Sequence, residues 1–344
     1  MTRPGTLLAA IIAVAAVAGI VVSVINRPPH ATQAQTITPS DGATPLPRAP
    51  SVAFEFSVAD DLATQEVVLF GGVDDFDSTW LWKGAQWELA HPAASPPGRY
   101  GAAAAFDPET DQVLLFGGRL EPGTPVSDTW GWDGATWQEL NSGTGGPPAG
   151  DGAAMTWDPI RNQMLLVTRP EVSTGGAETW VWSGTAWRLE PAGALGADDL
   201  GILVGYDPIS RSVLAEGCCQ IALGQLSAEQ PSTWRWDGSR WRVVVTSVSP
   251  TDGSGLATDS SRGQLVLCSC SLVGGVVPSL WAWSGSRWVP MQTGAVPPQP
   301  QAEVDDQGNG FLVLGFAIAA ADSIAQPLQV WALDGATWRE RNTG

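Results

Sequence analysis

The chain has 344 residues, among them 40 Gly, 27 Pro and 18 Trp, with one Lys and only 15% charged residues. That composition excludes a helical bundle and describes a turn-dense all-β chain. The formal net charge is −18; Asp41, Arg3, Arg27 and Arg48 are the only charged side chains in the first fifty residues, so the remainder carries −20. Such a surface repels phosphate backbones and anionic lipid head groups, which excludes nucleic acid as a partner and favours cations, neutral glycans or basic proteins.

The first element is Thr6 to Ile25, an uncharged apolar run of twenty residues. This is about the length a helix needs to cross ~30 Å of hydrocarbon, so residues 1–25 are expected to be a transmembrane anchor. A cleaved signal peptide is the competing reading; its apolar core is normally only about 7–15 residues, and the weak site at Thr32-Gln33-Ala34 is distant. Only five residues precede the run and the rest of the chain follows it. This favours a single-pass arrangement with the C-terminal part outside the cytoplasm, or secretion if the segment is cleaved. Residues 26–50 hold six prolines and no apolar periodicity. They read as an extended stalk of about 3.1 Å per residue where polyproline II forms.

From residue 51 to 344 the sequence repeats. ThrTrpLeuTrpLysGlyAlaGlnTrp at 79–87 returns as ThrTrpGlyTrpAspGlyAlaThrTrp at 129–137 and ThrTrpValTrpSerGlyThrAlaTrp at 179–187. Weaker copies lie at 233–241, 280–288 and 330–338. The pattern contains Trp80, Trp82, Trp87, Trp130, Trp132, Trp137, Trp180, Trp182, Trp187, Trp234, Trp236, Trp241, Trp281, Trp283, Trp288, Trp331 and Trp338, leaving Trp157 outside. Before each copy stands a second unit, best seen at 102–118, in which an Asp-Pro turn separates two apolar runs. A Gly-containing turn such as Asp133-Gly134 splits the Trp unit into two further strands. Four short strands per period of about fifty residues are the signature of β-propeller blades, and six periods predict one six-bladed ring. A Trp that recurs in every blade is a structural residue filling the wedge between blades.

The repeat resembles kelch motifs. The resemblance rests on Gly71-Gly72 and Gly117-Gly118, the later Asp128-Thr129-Trp130 or Glu178-Thr179-Trp180, the last-strand Trp, and Pro96-Pro97-Gly98-Arg99 before the next first strand. It covers residues 52–344 and implies a six-bladed kelch-type propeller without implying an activity. It departs from the pattern where the third to sixth repeats lose the double Gly, and where Gly101-Ala102 stands in place of Gly-His.

In such a blade the 1–2 and 3–4 turns lie on one face and the 2–3 and blade-to-blade connections on the other. The first set is short and repetitive here and the second is variable, so recognition is expected on the second. Its candidate binding residues are Asp74, Asp75, Asp77, Arg119, Glu121, Glu171, Asp198 and Asp199. Ordinary solvated loop charges are the plain alternative. Asp74, Asp75 and Asp77 also offer oxygen ligands of the type calcium takes, but without the Gly and closing Glu of an EF-hand loop. Cys218, Cys219, Cys268 and Cys270 fall in the fourth and fifth repeats at nearly matching positions. They are expected to form disulfides between those blades, with a four-thiolate metal site as the alternative.

Several enzymes are argued against. The copper enzymes of the kelch superfamily, the galactose oxidases, need His and Tyr ligands, and this chain has only His30, His91, Tyr100 and Tyr206. The single Lys83 sits in a hairpin turn and supports no P-loop, and neither HExxH nor GxSxG occurs. No cofactor, metal or catalytic residue is assigned. The preferred function is a membrane-anchored, extracytoplasmic binding or scaffolding module for a protein or glycan ligand. Its alternatives are a glycan hydrolase or lyase built from loop carboxylates, and a structural envelope protein.

Overall fold

The computed structural model describes residues 49–50, 55–73, 75–150, 152–168, 176–195, 201–218, 221–222, 225–226, 232–246, 250, 253–269, 279–297, 300–306, 310–315 and 328–341. The apolar run 6–25 and the spacer up to residue 48 lie outside them. No helix among the described residues is long and apolar enough to cross a membrane.

Six four-stranded antiparallel sheets follow one another along the chain. Blade 1 is β1 (Ser57–Asp61), β2 (Glu66–Phe70), β3 (Thr79–Trp82) and β4 (Trp87–Leu89). A small three-stranded sheet then joins β5 (Arg99–Tyr100) to β8 (Arg119–Leu120) and β9 (Thr124–Pro125), around blade 2, which is β6 (Ala103–Asp107), β7 (Gln112–Phe116), β10 (Thr129–Trp132) and β11 (Trp137–Asn141). Blade 3 is β12 (Ala154–Asp158), β13 (Gln163–Thr168), β14 (Ala177–Trp182) and β15 (Trp187–Leu195). Blade 4 is β16 (Gly201–Asp207), β17 (Ser212–Cys218), β20 (Thr233–Trp236) and β21 (Trp241–Val244), with the two-stranded ribbon β18 (Ile221–Ala222) and β19 (Gln225–Leu226) between its second and third strands. Blade 5 is β22 (Gly253–Asp259), β23 (Gln264–Ser269), β24 (Ser279–Trp283) and β25 (Trp288–Pro290). Blade 6 is β26 (Pro300–Asp306), β27 (Gly310–Gly315), β28 (Gln329–Asp334) and β29 (Thr337–Glu340).

The first strands touch in order, β1 to β6, β6 to β12, β12 to β16, β16 to β22, β22 to β26, and β26 back to β1. The sheets therefore close into a β-propeller. Each sequence repeat makes a whole blade, so the ring closes by packing of blade 6 on blade 1 rather than by an exchanged strand.

Local chemistry explains the strand pattern. The second strands are covered on both faces, and read as continuous apolar runs such as Val67-Val68-Leu69-Phe70 and Val113-Leu114-Leu115-Phe116, all at most 2% exposed. The fourth strands are outer edges, where a buried Trp is followed by exposed Glu88, Gln138 or Arg242. Every first strand ends on a buried Asp: Asp61, Asp107, Asp158, Asp207, Asp259 and Asp306. Five of these carboxylates accept hydrogen bonds from the turn that follows, for example Ala63 N to Asp61 Oδ1 at 3.0 Å and Ser210 N to Asp207 Oδ2 at 2.6 Å. Four residues after each Asp the backbone turns left-handed, at Gln65, Asp111, Asn162, Arg211, Gly263 and Gly310. The side-chain bonds hold that conformation in the four non-glycine cases.

Blades are joined by a repeated indole-to-hydroxyl bond. Trp137 Nε1 donates to Thr79 Oγ1 at 2.9 Å, Trp187 to Thr129 at 2.8 Å, Trp241 to Thr179 at 2.8 Å and Trp288 to Thr233 at 3.1 Å. Each links the fourth strand of one blade to the third strand of the blade before it. The same Trp packs on the last inward residue of the preceding second strand: Phe70 meets Trp137 at 5.3 Å between ring centroids, and Phe116 meets Trp187 at 5.7 Å. Inside blades 1 to 5 the Trp also pairs with the last Trp of strand three, at 5.0 to 5.4 Å.

Thr129→Val keeps the shape and removes the acceptor, leaving the Trp187 indole N–H buried and unpaired. The expected loss is about 1–3 kcal/mol in denaturant unfolding with an unchanged m-value; a variant as stable as the parent would show that the bond contributes nothing.

Candidate functional site

The variable face is best described at blades 1 and 2, where the 2–3 connections 72–78 and 118–127 meet the blade-to-blade segment 90–102. That segment is pressed into the double-glycine corners. Arg99 N donates to Phe76 O at 2.8 Å and Gly72 N to Arg99 O at 3.0 Å. Gly71, at φ +64, lies so close to Arg99 O that a Cβ there would approach it to 2.3 Å, and Gly118, at φ +87, would press a Cβ to 2.6 Å from Tyr100 O. Gly is required at both corners because a left-handed backbone and a close carbonyl coincide there. The other blades lack the pair.

The side chain of Arg99 is fully buried and runs from this segment into blade 2. Its Nη1 and Nη2 donate to Asp128 Oδ1 and Oδ2 at 2.6 and 2.9 Å, Nη1 also reaches Gly117 O at 3.0 Å, and Nε donates to Pro97 O at 3.0 Å. Asp128 Oδ2 further accepts the Trp130 indole at 2.7 Å. Burial opposes ionisation of Asp128, but the hydrogen bonds and charge of Arg99 outweigh it and hold the carboxyl below its ordinary range. This fork-to-fork pair is a fastener beneath the face.

Above it lie the groups that face solvent. The rings of Phe76 and Tyr100 meet at 6.0 Å with a 56° tilt, both half-buried. Tyr100 pairs in the small sheet with Arg119, whose Nη1 donates to Gly123 O at 2.9 Å. Gly123 in turn lies near the Tyr100 hydroxyl. Asp77 and Glu121 are exposed beside these, and the Glu121-Pro122 peptide is cis. The result is an aromatic pair with the Arg119 guanidinium on the neighbouring strand, and with exposed carboxylates at Asp77, next to Phe76, and at Glu121, next to the end of β8.

Four of the eight predicted binding residues therefore fall in one neighbourhood: Asp75, Asp77, Arg119 and Glu121. Asp75 is partly buried and accepts the Trp80 indole at 3.1 Å, which ties it to the blade. Asp74, Glu171, Asp198 and Asp199 lie outside the described residues. Among the described residues no group of three or more His, Cys, Asp or Glu is placed to hold a metal ion. Cys268 is fully buried on β23, at the position of Phe70 and Phe116; Cys218 ends β17, and Cys219 and Cys270 lie outside the described residues.

Sequence reasoning passed over Phe76 and Tyr100, and placed Pro96-Pro97-Gly98-Arg99 directly before a blade's first strand. In the structure Arg99 and Tyr100 form a separate short strand, β5, ahead of β6 at Ala103. The available signal was Tyr100 itself, the one half-buried aromatic next to a Pro-Pro-Gly-Arg corner.

No protein-family model matches the chain, and no curated protein matches it. Solved structures do. The Aleuria aurantia lectin, in complex with α-methyl-L-fucoside, aligns with a TM-score of 0.56 at 15% identity, covering 86% of this chain and 97% of that one. The SapL1 lectin, in complex with alpha methyl fucoside, aligns with a TM-score of 0.54 at 14% identity over 86% and 97%. A protein named YjhT aligns with a TM-score of 0.55 at 14% identity over 86% and 99%. At these identities the likeness is one of fold.

Arg99→Met should destabilise the protein by up to about 3–5 kcal/mol, because it strands a part-buried carboxylate. Adding Asp128→Leu should restore most of that loss in thermal unfolding; no restoration would show that the pair is not the fastener described.

Proposed function

We propose that the chain is a glycan-binding propeller of kelch type, with its ligand on the 2–3 loop face at the joint of blades 1 and 2. The observation that carries this reading is the Phe76–Tyr100 pair flanked by Arg119, Asp77 and Glu121. A sugar presents a C–H face and a rim of hydroxyls. Aromatic rings accept the former, carboxylates accept hydrogen bonds from the latter, and a guanidinium donates to them. The lectin neighbours support it further, since two of them hold a fucoside on the same fold. The double-glycine corners and the Arg99 fork support the kelch reading.

The anchor is part of the same proposal. The uncharged run 6–25 has the length of a membrane-spanning helix, and the spacer that follows would present the ring at a distance from the bilayer. Cys268, whose sulfur is in a disulfide, supports the expected bridging among the four cysteines of blades 4 and 5.

The test is a glycan array with the full-length protein in detergent, followed by titration of the best binder. Binding of at least one glycan is expected, and Tyr100→Ala with Arg119→Ala should weaken it about tenfold or more, roughly 1.4 kcal/mol, at an unchanged melting temperature. An array without binders, or a binder indifferent to both substitutions, would overturn the assignment of this site.

A further inference from the structure

The six joints of the ring are not equivalent. Joints 1/2, 2/3, 3/4 and 4/5 carry the indole-to-threonine bond. At the two joints of blade 6 the threonine position holds Leu280 and Val330, and the corresponding indoles, Trp338 Nε1 and Trp87 Nε1, are buried with no hydrogen-bond partner among the described residues. Blade 6 also has Leu333 opposite Trp338 where the other blades place a second Trp. Aliphatic packing fills both joints, with Leu314 and Val330 beside Trp87 and Cys268 and Leu280 beside Trp338, and joint 5/6 adds hydrogen bonds from Arg262 Nη2 to Gly335 O and from Gly294 N to Ala336 O, both at 2.8 Å.

The inner ends of the joints differ in the same way. The residue before the closing Asp of strand one is Phe106, Trp157 and Tyr206 in blades 2, 3 and 4, and each packs against a core cluster shared with the preceding blade. In blade 5 it is Thr258, which donates to Tyr206 O at 2.7 Å. In blades 6 and 1 it is Asp305 and Asp60. Asp305 accepts Ser260 N at 3.1 Å across joint 5/6. Asp60 lies in the field of Asp305 and Asp306 across joint 6/1 and of Asp61 on its own strand, and its Oδ1 is buried without a hydrogen-bond partner among the described residues.

Among the described residues, the cations near this seam are Lys83 and Arg262, each paired with a carboxylate, and Arg262 also reaches across joint 5/6 to donate to Gly335 O at 2.8 Å. From β2 comes Glu66, which faces Asp61 and binds Lys83; from β22 comes Asp259, which faces Asp305 and binds Arg262; β6 ends on Asp107. Two carboxylates thus sit where blades 2, 3 and 4 have aromatic rings, in the two joints that lack the indole-to-threonine bond.

We propose that blade 6 is a pH-controlled closing segment of the ring: it is seated while Asp60 and Asp305 hold at least one proton between them, and loosens from blades 1 and 5 when both ionise. Burial, then the charges of Asp305, Asp306 and Asp61, push Asp60 up to about 8, and burial likewise raises Asp305. In the unfolded chain both lose their protons near pH ~3.9. The folded ring therefore binds more protons between these limits, so stability falls as pH rises from about 4 to about 8 and is level above that.

The experiment is hydrogen–deuterium exchange of the full-length protein at pH 6 and pH 9, with labelling times corrected for intrinsic exchange. Protection of β26 to β28 and of β1 is expected to fall about tenfold or more at pH 9 relative to β12 to β14, the factor given by one unit of differential protonation. Asp60→Asn or Asp305→Asn should keep that protection at pH 9. Parallel loss in all six blades, a wild-type pH response in both variants, or failure of both variants to fold at pH 6, where a neutral side chain should be tolerated, would each overturn the proposal.

Discussion

A ring of sheets is only as strong as its joints, and at four of the six here the joint is an indole N–H given to a threonine hydroxyl of the neighbouring blade. The bond is buried, so its two partners must be present together. It also fixes how far one blade slides along the next, since the Trp that donates has its ring wedged against Phe70, Phe116 or their equivalents. One side chain thus sets both spacing and register between blades. The turn-capping Asp, seen at five first strands, fixes the turn within its own blade.

On this frame the loops of blades 1 and 2 are held to a stricter geometry than loops usually are. The Arg99–Asp128 fork and the double-glycine corners fix the connecting segment from below, and β5, β8 and β9 fix it from the side. The order of Phe76, Tyr100 and Arg119 follows from that support. A recognition face benefits, because little ordering remains to be done when a ligand arrives.

The fold was largely legible in the sequence because repetition reports it directly: the Trp spacing marks the blades, Asp-Pro and Asp-Gly mark the turns, and apolar runs such as Val113-Leu114-Leu115-Phe116 mark the central strands. The joints were not legible in the same way. Thr129 and Trp187 are 58 positions apart, and nothing in either residue announces the other until the ring is closed. Once the rule is known, the sequence does carry its exceptions, since Leu280 and Val330 stand where Thr is needed. The candidate site was half legible. Charged loop residues advertised Asp77, Arg119 and Glu121, whereas Tyr100 and Phe76 are neutral, lie on different connections and meet only through the folding of the 90–102 segment.

The chain enters the ring at the seam between blades 6 and 1. Leu328 N donates to Pro50 O at 3.0 Å, and Ala49 packs on the cluster that holds Trp87 and Val330. Any pull on the N-terminal end is therefore delivered to the closing joint, as a peeling load on one of the two joints without an indole tie. Mechanically, the protein is a clasp whose handle is attached at the catch.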